Sequence, residues 1–202
     1  MKRLIIIFLL IIYFCLCSIS AYSLPEGAFA RLGIGEINDL VFSPDGSILA
    51  VATDFALHIY DASNWSQLAY YENGMSMNSI DFSRDGSILA IGSSDATIRL
   101  WDVRKNHVVN ALIAHKGRVN SVSFSPDGKF LASSEDKDNS IFLWDIQKRQ
   151  LIAKLTGHSK YVFSVSFSSD GKFLVSSGAD NVALIWDVEK RQVVDKLNEG
   201  WS

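Results

Sequence analysis

The stretch GHSKYVFSVSFSSDGKFLVSSGADNVALIWD, residues Gly157–Asp187, decides the fold of this chain. It begins with a Gly-His pair and an apolar-alternating run that ends at Phe167, followed by the polar turn SSDG. A second run covers 173–176, and a third closes on Trp186-Asp187. Short alternating runs bounded by turns that contain Gly and Asp are typical of β-strands. The stretch therefore predicts a small antiparallel meander.

The same pattern recurs along the chain at a nearly constant spacing. The Asp-Gly turn recurs as SPDG at 43–46, SRDG at 83–86, SPDG at 125–128 and SSDG at 168–171, in steps of 40, 42 and 43 residues. The end of the third strand recurs in step as Tyr60-Asp61, Trp101-Asp102, Trp144-Asp145 and Trp186-Asp187. A period of about 40 to 45 residues with Gly-His and Trp-Asp landmarks indicates the blade of a β-propeller.

These landmarks make the chain resemble the WD-repeat (β-transducin-like) propeller family from Leu32 to Leu197. Its apolar N-terminal segment, residues 1–23, makes it similar to secreted bacterial-type members. The resemblance implies an all-β fold, a propeller of four blades with four antiparallel strands each. The expected blades cover about 33–71, 72–113, 114–155 and 156–197. Closed propellers typically have 4 to 8 blades, so an open or incomplete propeller stays an alternative.

The first 23 residues do not belong to the repeat. Lys2 and Arg3 precede an unbroken apolar run over 4–17, and small residues follow at 18–21. This layout predicts a cleaved signal peptide, and thus a secreted or periplasmic protein with its propeller domain over 24–202. The alternative is an uncleaved membrane anchor, although the apolar run is shorter than the ~20 residues that span a bilayer. The only cysteines, Cys15 and Cys17, lie inside this leader.

The charge of the chain bears on its partners. The formal net charge is −3, and removal of the leader takes away two further basic residues. Nucleic-acid binding requires a basic face, so this balance predicts no nucleic-acid partner. A membrane contact is expected only if the leader stays attached.

Four residues of the defining stretch invite two interpretations. Serine, histidine and aspartate are the parts of a nucleophilic triad. The family resemblance instead implies a buried hydrogen-bond chain from aspartate through histidine and serine to the tryptophan ring nitrogen, which is structural. We favour the structural interpretation because the set occurs twice and no Gly-x-Ser-x-Gly elbow is present. The predicted sets are His115, Ser133, Asp138 and Trp144, and His158, Ser176, Asp180 and Trp186.

Two further patterns have a functional and a plain interpretation. Asp136, Asp138 and Ser140 have the alternate spacing of the start of a calcium loop, but the glycine and the distal acidic ligand are missing. Basic pairs follow three of the Trp-Asp positions and could form a strip for an acidic surface, although ordinary turn charge is the favoured explanation. We therefore predict no metal and no cofactor. The pairs are Arg104-Lys105, Lys148-Arg149 and Lys190-Arg191.

The resemblance also implies a docking surface on the face that carries the Gly-His loops. The residues three and five positions after the histidine often supply the contacts in the family. Carried over by register, the predicted partner-binding residues are Glu36, Asn38, Ser76, Asn78, Arg118, Asn120, Tyr161 and Phe163. An alternative is that Phe163 packs between blades and that the asparagines cap strand ends.

The sequence thus predicts a non-catalytic scaffold for protein–protein interaction, built from WD repeats, with a protein or peptide partner. Two alternatives stay open. The chain could be the propeller domain of an enzyme or of a ligand- or glycan-binding protein. It could also be a fragment that further blades or homo-oligomerisation complete, because an open arc leaves exposed sheet edges.

Overall fold

The computed structural model describes residues 35–198 as a chain of sixteen strands. In order they are β1 (Ile37–Phe42), β2 (Ile48–Thr53), β3 (Ala56–Asp61), β4 (Gln67–Glu72), β5 (Met77–Phe82), β6 (Ile88–Ser93), β7 (Thr97–Asp102), β8 (His107–Ile113), β9 (Val119–Phe124), β10 (Phe130–Glu135), β11 (Ser140–Asp145), β12 (Gln150–Thr156), β13 (Val162–Phe167), β14 (Phe173–Gly178), β15 (Val182–Asp187) and β16 (Gln192–Asn198). The predicted signal peptide, residues 1–23, and the residues 24–34 that follow it lie outside the described residues. Within residues 35–198 there is no helix with the length and hydrophobicity needed to span a membrane.

Consecutive strands pair in order into four antiparallel sheets. They form blade 1 (β1–β4), blade 2 (β5–β8), blade 3 (β9–β12) and blade 4 (β13–β16). Each blade adds a fourth strand after the Trp-Asp position or its equivalent. The predicted fold class, all-β with four sheets of four antiparallel strands, is therefore confirmed.

The Ser-x-Asp-Gly turn joins the first two strands of each blade by a repeated set of hydrogen bonds. In blade 1, Ser43 Oγ donates to Asp45 Oδ1 at 2.6 Å and accepts from Ile48 N at 2.9 Å. Gly46 closes the turn at a φ of +73°, a conformation that costs glycine little because it has no Cβ. The same serine bonds recur in the other three turns, which explains why this tetrapeptide marks the period.

The blades pack face to face along the series, and each junction buries one face of either neighbour. The leading face of a blade packs on the preceding blade, and the trailing face packs on the following one. Between blades 1 and 2, for example, Ala50 and Ile59 of the trailing face meet Ile80, Leu89 and Ile91 of the leading face. Similar clusters join blade 2 to blade 3 and blade 3 to blade 4. This apolar burial is the main favourable contribution to folding.

The first strands of successive blades also lie side by side. β1 packs on β5, β5 on β9, and β9 on β13. Among the described residues, β13 shows no comparable packing on β1. The four blades therefore form an open series with blade 1 and blade 4 at its ends.

Candidate functional site

Blade 4 contains a continuous chain of buried hydrogen bonds. Trp186 Nε1 donates to Ser176 Oγ at 2.8 Å, and Ser176 Oγ lies 2.7 Å from His158 Nε2. His158 Nδ1 lies 3.0 Å from both carboxylate oxygens of Asp180. A carboxylate can only accept, so Nδ1 donates to Asp180, and the serine hydrogen is left to donate to Nε2. Asp180 also accepts from Ser159 N at 2.8 Å, which ties the loop before β13 to the loop after β14.

The environment of Ser176 argues against a catalytic role for this set. The side chain is buried, and its oxygen is already engaged by the tryptophan and the histidine. A nucleophile needs an open path to a substrate carbonyl and an oxyanion site beside it. The geometry therefore favours a structural interpretation, in which these polar groups satisfy one another inside the blade.

Blade 3 has the same serine bridge but a different acidic residue from the one predicted. Ser133 Oγ accepts from Trp144 Nε1 at 2.8 Å and lies 2.8 Å from His115 Nε2. Asp138 does not contact His115; it accepts instead from Lys154 Nζ and Ser140 N, at 2.8 and 2.9 Å. The assignment of Asp138 to this hydrogen-bond set was therefore wrong.

Glu135 takes the acidic place in blade 3. Its side chain is buried, and its Oε2 accepts from Lys116 N and Gly117 N at 2.6 Å each. His115 Nδ1 lies 3.5 Å from this oxygen, without a hydrogen bond. Burial, followed by the positive charge of Lys154, lowers the pKa of His115 to about 4. The imidazole is therefore neutral at physiological pH, and the glutamate holds the loop mainly through main-chain donors.

The residue at the end of the second strand explains this exchange. Gly178 occupies that position in blade 4, and a Cβ there would lie 2.8 Å from both His158 Nδ1 and Asp180 Oδ1. A side chain at this point is incompatible with the aspartate–histidine contact. Blade 3 places Glu135 there and has one more residue in the following turn, so Asp138 is displaced towards Lys154.

The first two blades lack this hydrogen-bond chain. Blade 2 has Ile91 where blades 3 and 4 have the bridging serine, and Trp101 Nε1 is buried without a hydrogen-bond partner. In blade 1 the tryptophan is replaced by Tyr60, which stacks on His58 with ring centroids 6.1 Å apart. The buried polar chain is therefore confined to blades 3 and 4 of the described part.

The calcium-loop alternative finds no support in the geometry. The carboxylate of Asp138 is occupied by an ammonium group and a main-chain amide. In the described residues, no group of three or more histidine, cysteine, aspartate or glutamate side chains is arranged to hold a metal ion.

Four of the predicted docking residues, those three positions after the histidine or its equivalent, occupy equivalent places in the four blades. The carbonyl oxygens of Glu36, Ser76, Arg118 and Tyr161 each accept from a main-chain amide in the loop after the second strand of the same blade. These residues therefore lie at one end of the sheets, just before the first strand. Glu36, Arg118 and Tyr161 are exposed, and Ser76 is half-buried.

The other four docking residues, those five positions after the histidine or its equivalent, are of two kinds. Asn38, Asn78 and Asn120 each donate through Nδ2 to the first-strand carbonyl of the next blade, Met77 O, Val119 O and Val162 O, at 3.1, 3.0 and 3.1 Å. These asparagines join neighbouring blades; Asn78 and Asn120 are half-buried, whereas Asn38 is exposed. Phe163 has no amide for such a bond; it is exposed and packs edge-to-face on Tyr161 with centroids 5.0 Å apart.

A comparison with protein families shows which family the chain belongs to. The family described as "WD domain, G-beta repeat" matches four segments, residues 32–61, 67–102, 106–145 and 149–187, which together are well over half of the chain. The chain belongs to the WD-repeat family. The expected resemblance is thereby confirmed at the level of the family.

Individual WD-repeat relatives match shorter parts. A BTB/POZ-domain and WD-repeat protein, R61, of Acanthamoeba polyphaga mimivirus is 30% identical over 103 residues, 49% of this chain and 21% of that protein. The guanine nucleotide-binding protein subunit beta of Oryza sativa, from both indica and japonica, is 46% identical over 46 residues, 22% of this chain and 12% of its own length. The chain therefore covers about a fifth or less of the relatives that it matches.

A second set of polar residues fastens the WD blades together. On the first strands, small polar side chains accept main-chain N–H groups from the next blade. The distances run from 2.6 to 3.4 Å. The alternation of apolar and small polar residues was visible in the sequence, but its role between blades was missed. The acceptors are Asp39, Ser79, Asp81, Ser121 and Ser123.

The two carboxylates in this set have unusual titration properties. Burial raises the pKa of Asp81 to about 6, and the nearby charge of Asp39 adds to the effect. Hydrogen bonds from main-chain N–H groups, Phe124 N foremost, oppose the shift. Burial also raises the pKa of Asp39, although Ile80 N and Leu40 N donate to it at 2.8 Å. Between the ordinary value and about 6, the folded WD domain therefore holds a proton at Asp81 that the unfolded chain releases.

Asp81→Asn should stabilise the protein at about pH 8, because the amide oxygen can still accept Phe124 N–H and no buried charge remains. The raised pKa means that Asp81 contributes fully to stability below its ordinary pKa, and this contribution is lost as the pH rises from there through about 6. The expected gain is on the order of 2 kcal/mol at about pH 8, and it should vanish near pH 4. Urea melts of both proteins across this range measure it.

Asp85→Asn serves as the control of opposite sign. The Ser83 hydroxyl lowers the pKa of Asp85, so its ionised form favours folding above the ordinary value. That variant should lose stability at neutral pH and approach the native protein only in acid. A loss of stability for Asp81→Asn at about pH 8 would contradict the assigned cost of the buried charge.

The basic pairs are largely offset by their own blades. The lysine of each pair bonds the carboxylate of the Trp-Asp aspartate, with Nζ–Oδ2 distances of 3.0 Å in blade 2, 3.4 Å in blade 3 and 3.0 Å in blade 4. The same aspartates accept main-chain N–H groups of the turn. This arrangement favours the interpretation as ordinary turn charge.

Proposed function

We propose that this WD-repeat chain is a non-catalytic scaffold that binds a protein or peptide partner at the docking face, defined here as Glu36, Arg118, Tyr161 and Phe163. WD-repeat proteins typically bind protein partners, which supports the class of function. The observation that carries the location is an exposed aromatic pair on blade 4 and an exposed arginine at the equivalent end of blade 3.

The composition of the docking face suits protein recognition. Tyrosine and arginine are enriched among the residues that carry most of the binding energy in interfaces. Tyr161 and Phe163 are 39% and 51% exposed, and their edge-to-face contact holds both rings in place without a partner. Pre-ordered side chains lose less entropy on binding, so the pair can anchor a partner efficiently. The neighbouring asparagines are fastened between blades and give this face a rigid base.

The test compares two matched double variants of the tagged chain expressed in its own source cells. Arg118→Glu with Tyr161→Ala alters the docking face. Arg149→Glu with Tyr70→Ala alters an exposed arginine at the opposite end of the sheets and an exposed aromatic on the outer strand β4. We expect proteins co-purified with the native chain to be depleted at least about tenfold by the first variant, since losing interface anchors costs about 2 kcal/mol or more.

The second double variant should retain the same proteins at native levels. Equal depletion by both variants would indicate a general loss of folding or a different docking surface. Full retention of every bound protein by the first variant would overturn the proposed site.

We further propose that residues 1–23 direct the chain out of the cytoplasm. The basic start at Lys2-Arg3, the apolar run over 4–17 and the small residues at 18–21 support this proposal. N-terminal sequencing of the exported chain should find a new terminus at Ala21 or Leu24. Recovery of the intact leader in the membrane fraction would favour the anchored alternative instead.

A further inference from the structure

The contact between successive blades follows one repeated rule. A side chain of the first strand reaches the main chain of the next first strand, as Ser121 and Ser123 do when they accept Val165 N and Phe167 N at 3.2 and 3.4 Å. Around these bonds, the apolar trailing face of one blade covers the leading face of the next. A blade that carries these acceptors and this apolar trailing face without a neighbouring blade therefore has an unoccupied blade contact.

Blade 4 carries the acceptors of such a contact, and no blade among the described residues uses them. Ser164 and Ser166 occupy the register of Ser121 and Ser123 in the first strand. Both are exposed, whereas Ser121 is buried beneath the next blade. Blade 4 differs at one position, where the exposed Phe163 replaces the asparagine of the earlier blades.

The apolar part of the same face is also uncovered. On the fourth strands, Leu112 and Leu155 are 2% and 3% exposed, while the equivalent Leu197 of blade 4 is 55% exposed. On the second strands, Ala90 and Ala132 are fully buried, while the equivalent Val175 is 40% exposed. The trailing face of blade 4 is therefore an apolar blade-contact surface that faces solvent.

Blade 1 leaves part of the complementary leading face open, along its first strand. Phe42 ends the first strand and is 38% exposed, whereas the equivalent Phe82 and Phe124 are 6% exposed. Ile37 and Leu40 are only half-buried, although Met77 and Ile80 at the same positions are buried. The inner part of this leading face therefore remains open, while Leu49, Val51 and Tyr60 lie buried in a cluster with Trp65.

We propose that the trailing face of blade 4 binds the first strand of blade 1 of a second copy of this chain. The contact continues the rule of the existing blades, with Ser166 of one copy placed to accept Phe42 N of the other and Leu197 covering its apolar edge. It is head-to-tail, because it joins two different surfaces. Two copies would supply eight blades, which is within the range of closed propellers. Phe163 borders both this surface and the docking face, but the contact rests on Ser166, Leu197 and Phe42, so this proposal does not depend on the proposed partner.

The test uses light scattering on the purified chain and on variants of each half of the contact. Leu197→Asp changes the trailing face, and Phe42→Asp changes the leading face. Each charge would be buried without a partner in the complex, so each variant alone should lower the association constant at least about tenfold. Ile113→Asp, at a site 75% exposed on β8, is the matched control and should leave the native dimer intact.

An equimolar mixture of the two variants gives the decisive result. A head-to-tail contact pairs the intact trailing face of Phe42→Asp with the intact leading face of Leu197→Asp, so the mixture should associate more strongly than either variant alone. Recovery also shows that both variants fold. Ser164→Arg, a substitution of an exposed side chain, provides a second trailing variant and should behave like Leu197→Asp.

Three outcomes would overturn the proposal. The first is a native chain that stays monomeric at every concentration tested. The second is a native dimer that both Leu197→Asp and Ser164→Arg leave intact. The third is a dimer that the trailing variants abolish and the mixture fails to restore, which would indicate a symmetric contact between two trailing faces.

Discussion

His158→Ala is expected to lower the midpoint of thermal unfolding by about 6 to 12 °C. The change removes a buried ring and leaves the hydroxyl of Ser176 and the carboxylate of Asp180 without their shared partner. Each buried polar group left unsatisfied costs about 1 to 3 kcal/mol, so a total of about 3 kcal/mol is expected. A loss of 1 kcal/mol shifts the midpoint by about 2 to 4 °C in a domain of this size. Calorimetry measures the shift directly.

His107→Ala is the matched control, because His107 is exposed on β8. Its midpoint should stay within about 2 °C of the native value, since exposed substitutions rarely exceed about 0.5 kcal/mol. Equal shifts for the two variants would show that the chain through His158 contributes no more than a surface residue.

Glu135→Ala is expected to destabilise the protein by about 3 kcal/mol, whereas Asp138→Ala should cost less than about 1 kcal/mol. Glu135 is buried and accepts two short hydrogen bonds from Lys116 N and Gly117 N, which its removal would leave unpaired. Asp138 pairs instead with Lys154, in a contact where both side chains remain solvent-accessible. Exposed ion pairs contribute about 0 to 1 kcal/mol.

Urea unfolding of the two variants side by side measures this difference. The pair also separates the structural assignment from the one based on sequence, in which Asp138 completes the histidine chain. A larger loss for Asp138→Ala than for Glu135→Ala would restore the sequence-based assignment and contradict the observed geometry.

The sequence predicts the architecture well because the blade is encoded locally. The Ser-x-Asp-Gly turn closes within five residues, as the bonds from Ser43 to Asp45 and from Ile48 to Ser43 show. The strands on either side alternate apolar residues because each face meets a neighbouring blade. A period built from such local units can be counted without knowledge of the tertiary contacts.

Roles that depend on another blade or on loop length could not be found in this way. Asn78 was assigned to a partner, yet its amide bonds Val119 O, 41 residues further along the chain. Asp138 was assigned by analogy with Asp180, but the extra residue in its turn and the side chain of Glu135 move it away. In both cases a contact distant in sequence, or a steric conflict, decides the outcome.

The bonds between first strands have a consequence for how the molecule responds to damage. They link residues 39 to 44 positions apart, always from one blade to the next. Such a chain behaves as a one-dimensional array with nearest-neighbour coupling, in which each unit senses only the units beside it. A defect in blade 4 is therefore expected to weaken blade 3 next and blade 1 last.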